Sequence, residues 1–208
     1  MIKAVVFDVG GVLCPNPLNE FIKVDREYGL PDGTVMSFLR GGDDFALCET
    51  GQMSIVDFYD RCVARIAQAH DVRVTPQRLD AMLEACMGEA VRPEMIELVI
   101  EIKAAGYQTA LLTNIFAERR EWLHALLPQG TIDVFGDSSE MGLRKPDPAI
   151  YHKLMEMMGR QPEAIAFIDD FAENLVAARA LGITGILFES PEQARQALVA
   201  AGVRIASH

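Results

Sequence analysis

Four short stretches of this chain carry side chains that could act together: Asp8, Thr113-Asn114, Lys145 and Asp169-Asp170. Ala4 to Phe7 is apolar and mostly β-branched or aromatic, as in a strand buried on both faces. Asp8 closes that run and Gly10-Gly11 follow. Taken alone, Asp8 reads equally as a strand cap before a glycine turn or as a functional carboxylate. The later strand ends favour the second, because Thr113-Asn114 closes the buried run Thr109 to Leu112 and Asp169-Asp170 closes Ala164 to Ile168. Parallel strands bring such ends to one edge, where open α/β sheets place their ligand chemistry. Together they offer a candidate nucleophile, a hydroxyl donor, a fixed cation and an acidic pair. Asp8 and Asp170 suit Mg²⁺, which takes oxygen ligands and keeps several waters. Thr113 and Lys145 suit phosphate oxygens. Without a metal and a lysine to offset charge, an attacking carboxylate and a phosphate would repel.

The elements that must position these groups follow from the periodicity. After Cys14, Pro15-Asn16-Pro17 reads as a loop, and helices are expected from Leu18 to Tyr28 and from Pro31 to Arg40. Ser54 reads as an N-cap, with Ile55, Phe58, Cys62 and Ile66 at helical spacing. Thr75-Pro76 reads as N-cap and N1 of a helix carrying Leu79, Leu83 and Cys86. Residues 15–90 are thus expected to be helical throughout, a small unit inserted after the first strand; a structureless loop of that length is not expected. From Arg92 strands and helices alternate: a helix from Pro93, a strand at Thr109 to Leu112, a helix at Glu118 to Leu127 and a short strand at Ile132 to Phe135. Asp147-Pro148 opens another helix, Ala164 to Ile168 is a strand, and Gly185 to Phe188 is the last strand before a helix at Pro191 to Ala200. The predicted fold is α/β, a Rossmann-like parallel-sheet core (1–14 and 91–208) with an α-helical cap at 15–90.

Composition bounds the function. Half of the 208 residues are hydrophobic and 24% are charged, which suits a packed core. A net charge of −11 argues against nucleic acid or an anionic membrane as partner. Asp8 interrupts the N-terminal apolar run, so neither a signal peptide nor a membrane span is expected there. Cys14, Cys48, Cys62 and Cys86 show no zinc-like spacing and are expected as reduced thiols in a cytoplasmic protein.

In this order and spacing the motifs resemble those of the haloacid dehalogenase (HAD) superfamily. Phe7-Asp8-Val9-Gly10-Gly11-Val12-Leu13 is similar to its first motif, Leu112-Thr113-Asn114 to the second, and Arg144-Lys145-Pro146-Asp147-Pro148 to the third. Phe167-Ile168-Asp169-Asp170 with Glu173-Asn174 is similar to the fourth. The resemblance implies that Asp8 attacks phosphorus to give an aspartyl-phosphate. It implies that Mg²⁺ is held by Asp8, the carbonyl of Gly10 and Asp170, with Asp169 supporting the metal shell. Thr113, Asn114 and Lys145 would hold the phosphate. The insertion at 15–90 sits where the superfamily places its helical-bundle cap.

One position departs from the pattern. Most phosphatases of the superfamily have an Asp two residues after the nucleophile as general acid and base; here that residue is Gly10. The form with glycine resembles a branch that includes a bacterial sugar-1-phosphate phosphatase and the phosphatase domain of epoxide hydrolase. The resemblance implies an Mg²⁺-dependent phosphatase acting on a small phosphorylated metabolite; the alternative is a catalytically weak relative that binds a phosphorylated ligand or a protein partner. Residues 15–90 hold 7 basic and 13 acidic residues, net −6, which fits a monophosphorylated, otherwise neutral substrate of the sugar-phosphate type. Asp43, Asp44 and Glu49 are expected on a solvated face, with reach to the substrate as the alternative, Trp122 in the core, and Cys14 as an apolar filler, with a place in the site lining as the alternative. His70, His124 and His152 are expected to do no chemistry, and the terminal His208 to be disordered.

Overall fold

The computed structural model of the chain describes residues 1–15, 18–88 and 91–205. Five strands, β1 (Ala4–Phe7), β2 (Gln108–Thr113), β3 (Val134–Asp137), β4 (Ile165–Asp169) and β5 (Thr184–Leu187), form one parallel sheet. Their order is β3-β2-β1-β4-β5, so β1 is central. Phe7 stands in register with Leu111 on one side and Ile168 on the other. Asp8, Asp169 and the end of β2 therefore leave the sheet at about the same height, which is what brings the polar strand ends together.

Side chains alternate across the sheet, as the strand pleat requires. Val5 and Phe7 face a layer that includes α6 (Pro93–Ala104) and α11 (Pro191–Ala200). Ala4 and Val6 face the opposite layer, with α9 (Pro148–Met158) and α10 (Ala172–Ala180). This is the doubly covered α/β arrangement expected from the run of buried strands.

Between β1 and α6 lie α1 (Leu18–Glu27), α2 (Thr34–Arg40), α3 (Asp44–Glu49), α4 (Ile55–His70) and α5 (Pro76–Gly88). They pack around their own apolar cluster, which includes Phe21, Val35, Phe58, Ile66 and Leu79, and they draw in Phe116 from beyond β2. Ser54 caps α4 as expected, accepting from the N–H of Asp57. The second helix starts at Thr34 rather than near Pro31. Buried Asp25, on α1, takes the N–H of Gly33 (2.6 Å) and of Val35 (2.8 Å), so a carboxylate from a neighbouring helix satisfies the first turn. Asn16, Pro17, the Cys86 thiol and His208 lie outside the described residues.

The short helices were not legible. α3 covers Asp44–Glu49 where a charged surface was expected, and α8 (Ser138–Met141) begins under Asp137, whose carboxylate accepts from Ser139 and Glu140. The helix expected at Glu118 to Leu127 is a 3₁₀ turn over Ala117–Arg119 followed by α7 (Arg120–Ala125). β3 is shifted two residues along: Asp133 lies before it and its side chain bonds the N–H of Thr109, while Gly136 and Asp137 continue the ladder.

The helical insertion touches the sheet unit at several points, among them α3 and the turn after it. Arg144 pairs with Glu49, Ser138 Oγ donates to the Glu49 carbonyl (2.6 Å), and the Ile55 N–H donates to Glu118 (2.9 Å). A Cβ on Gly51 would stand 2.5 Å from the Ser139 carbonyl, so only glycine permits this approach at its φ of 69°.

Candidate active site at the sheet edge

The centre of the site is Lys145, with 2% of its surface exposed. Its Nζ lies 2.9 Å from Asp8 Oδ1 and 2.7 Å from Asp169 Oδ2, so one buried ammonium bridges two carboxylates. Asp8 Oδ1 also accepts from the N–H of Val9 (2.7 Å). Asp169 is more heavily committed: Phe171 N–H donates to Oδ1 (2.8 Å), and the Asn174 amide donates to both oxygens (2.9 and 3.0 Å). Asn174 is held by α10, whose backbone also meets α9 where the Tyr151 hydroxyl donates to the Asn174 carbonyl (2.9 Å).

Electrostatics follow from this burial. Removal from water pushes the Asp8 carboxyl from 3.8 up to about 7; Lys145 opposes the rise and Asp169 adds to it. Burial alone pulls the Lys145 ammonium down, and Asp8 and Asp169 more than reverse it, holding it above its ordinary value. The folded chain therefore binds the Asp8 proton more tightly than the unfolded chain. That stabilisation is full below 3.8 and is lost as pH rises through about 7. Melting temperature against pH, in chelator, should fall across this window for the wild-type protein and fall less for Asp8→Asn. Superimposable profiles would contradict the assignment.

The structure brings Thr113, Asn114 and Asp170 to the same cavity as Asp8 and Lys145. Asp170 stands over Gly11: a Cβ there would lie 2.0 Å from Asp170 Oδ2, and Gly11 holds a φ of 84°. Glycine is thus what lets this carboxylate approach the first strand. Oxygens of Asp8, Asp169 and Asp170 all lie within 4.8 Å of one another. Three hard oxygen donors in a cradle that a side chain would fill fit a small divalent cation. Gly10 is exposed, has no left-handed φ, and a Cβ there meets nothing within 4 Å.

Asn114 lines the cavity, as the expected phosphate contact requires, and its side chain is engaged with the Lys145 peptide. Its side-chain oxygen accepts from the Lys145 N–H (2.8 Å) and its amide donates to the Lys145 carbonyl (3.1 Å). A carboxamide pairs with a peptide unit in just this two-way fashion, and the pair fixes the backbone of the lysine. Glu49 departs from the expected solvated face. It is buried, lines the cavity and pairs with Arg144, whereas Asp44 pairs with exposed Arg61. Burial raises the Glu49 carboxyl while Arg144, Lys145 and Arg40 oppose the rise. The seven-residue run Asp43–Glu49 hides this, because its apolar residues Phe45 to Cys48 are consecutive and the run is too short to show a helical period. Trp122 is half-buried against the core and also reaches the cavity. Cys14 lines the cavity as a neutral thiol, since burial pushes it up to about 11. His70, His124 and His152 do not line it.

The cavity holds about 450 Å³ and lies between the sheet edge and α1 to α5. Among the described residues no helix is long and apolar enough to cross a membrane.

Known proteins with related sequences extend this picture. Mouse acyl-CoA dehydrogenase family member 10 is 31% identical over 207 residues, covering 95% of this chain, although the chain spans only 19% of that protein's length. Phosphatase MT3486 of Mycobacterium tuberculosis is 29% identical over 206 residues, 95% of this chain and 92% of its own length. A HAD family enzyme of Bacteroides thetaiotaomicron, solved in complex with magnesium and inorganic phosphate, has the same fold: its TM-score is 0.68 at 22% identity, with 91% of this chain and 95% of that one covered. Residues 2–182 match the description "haloacid dehalogenase-like hydrolase". That stretch runs from the strand before Asp8 to beyond Asp170 and α10, and by it the chain belongs to the haloacid dehalogenase-like hydrolases.

Proposed function

We propose that this hydrolase is an Mg²⁺-dependent phosphatase of a small phosphate monoester, with Asp8 as nucleophile. The observation that carries this reading is the buried Asp8–Lys145–Asp169 bridge at the floor of a cavity, beside Asp170 in the Gly11 cradle. Mg²⁺ would be held by the Asp8 and Asp170 carboxylates and the Gly10 carbonyl, and it would supply charge neutralisation between carboxylate and phosphate. Both oxygens of Asp169 are engaged, so it acts by holding Lys145 and Asn174 in place. Lys145 and Thr113 would bind phosphate oxygens, and Asn114 would fix the Lys145 backbone. Residues 15–90 would serve as the cap that closes over the substrate.

The chemistry runs in two displacements at phosphorus. An Asp8 oxygen bonds to phosphorus as the ester P–O bond breaks; the bond's electron pair leaves on the alcohol oxygen, which takes a proton from solvent. Water then bonds to phosphorus, the Asp8–phosphorus bond breaks, and the water's proton passes to solvent. A panel of phosphate esters assayed with Mg²⁺ and then with chelator tests this reading. Turnover that requires Mg²⁺ is expected; turnover unchanged by chelator, or none on any ester, would contradict it. The binding-only alternative predicts that phosphate binds while no ester is cleaved.

Gly10 sets a second expectation. With no side chain there, the leaving oxygen departs with little protonation from the enzyme, so log kcat/KM should fall steeply as the alcohol's pKa rises. General acid–base help is typically worth about 10²–10⁴-fold. The open space at Gly10 admits a side chain, so Gly10→Asp should accelerate alkyl phosphates more than aryl phosphates. A flat wild-type plot would mean that another group already delivers the proton.

A further inference from the structure

The cavity lining has two unlike parts: Asp8, Lys145 and Asp170 at the sheet edge, and rings and aliphatic chains supplied largely by the helical insertion. Phe45 of α3, Phe58 of α4 and Phe116 form a mutual cluster with ring centroids 5.7, 5.7 and 5.9 Å apart. Phe45 meets Phe116 edge to face at 89°. Met36 and Met82 extend this wall.

Arg119 and Arg40, which also line the cavity, are engaged, with Arg119 Nε left without a partner among the described residues. Arg119 donates to Glu84 (2.8 Å) and also bonds Asp80, and Arg40 lies 5.2 Å over the ring of Phe171. The Tyr59 hydroxyl beside Arg119 offers one polar contact. A sugar carries several hydroxyls, and each one buried without a partner weakens binding by roughly tenfold or more. A hydrocarbon group gains from the same walls. The insertion's net charge of −6 does not speak against this, because acidic residues such as Asp44 and Glu27 pair with Arg61 and Arg78 away from the cavity lining. The volume of about 450 Å³ equals that of about fifteen liquid waters, far more than one phosphate group fills.

We infer that the substrate is a phosphate monoester of an apolar alcohol, aryl or hydrocarbon-chain, whose hydrocarbon part fills the chamber walled by Phe45, Phe58 and Phe116. This rests on the phosphatase reading above and replaces the sugar-phosphate expectation with one drawn from the walls. Phosphoryl transfer to Asp8 proceeds as described, with the apolar alcohol leaving.

The test holds leaving-group acidity nearly constant while adding methylenes. Phenyl phosphate and its 4-ethyl, 4-butyl and 4-hexyl derivatives are assayed with Mg²⁺, beside a sugar 1-phosphate. The matching unhydrolysable phosphonates are titrated by calorimetry. Expected is a rise in kcat/KM of about fourfold per buried methylene until the chamber is full, with the phosphonate affinities rising in parallel. A flat or falling series, or a sugar 1-phosphate turned over faster than every aryl ester, would overturn the inference. Turnover with flat phosphonate affinities would overturn the apolar chamber alone. Affinities that climb without any turnover would overturn the phosphatase reading while leaving the chamber's preference standing.

Discussion

Asp8→Asn lowers kcat by about 10⁴- to 10⁶-fold, the scale on which removal of a nucleophile acts, and leaves the fold intact. The amide is nearly isosteric with the carboxylate. Its oxygen can still accept from the Val9 N–H and from Lys145, which are the contacts of Asp8 Oδ1. What is lost is the negative charge that forms a bond to phosphorus. Burial disfavours that charge, as the rise of the Asp8 carboxyl to about 7 records, so the metal-free variant should be at least as stable as the wild-type protein above that pH. Turnover and circular dichroism on the same sample separate the two effects. Wild-type turnover in the variant would remove Asp8 from the chemistry.

The second large effect belongs to Lys145→Met. The substitution keeps much of the side chain's apolar length and leaves the backbone bonds to Asn114 in place. It removes the cation that both Asp8 and Asp169 share. Breaking a buried ion pair by deleting one partner typically costs about 3–5 kcal/mol, because the remaining charge is stranded. Here two carboxylates lose their common partner, and turnover should fall with the phosphate contact. The direction with pH follows from Asp8: its carboxyl, raised to about 7, is neutral at pH 5 and charged at pH 8, so the stability loss is smaller at pH 5 than at pH 8. Urea unfolding in chelator at the two values measures it, and added Mg²⁺ should recover part of the loss at pH 8. An equal loss at both values would mean that the bridge is not what stabilises this edge.

The sheet edge was legible in the sequence for a simple reason. Buried strands such as Ala4–Phe7 and Ile165–Asp169 are continuous apolar runs, and each polar residue that ends one is conspicuous. Parallel pairing then brings those ends to one level whatever the loops do. The pairing of Asn114 with the Lys145 peptide was not legible, since a carboxamide after a strand serves a ligand or a neighbouring peptide equally well. Glu49 was hidden because its burial depends on Arg144, which lies 95 residues away, and no local pattern marks the pair. The chamber walls were hidden for the same reason. Phe45, Phe58 and Phe116 come from three separate segments, and spacing along each one shows only which face is apolar, not that the three pack together into a wall of the cavity. Net charge over residues 15–90 excluded a polyanion but could not weigh hydroxyls against hydrocarbon.

Asp8 takes the phosphoryl group in the proposed reaction. Turnover of an aryl phosphate with Mg²⁺, quenched in acid within the first cycle and analysed by mass spectrometry of the peptides, tests it directly. Expected is one phosphoryl group on the peptide containing Asp8, absent from Asp8→Asn and from samples treated with chelator. The missing side chain at Gly10 should slow attack by water and so raise the amount trapped, and Gly10→Asp should lower it. Steady turnover with no phosphoryl group on Asp8 at any quench time, in either protein, would contradict the account.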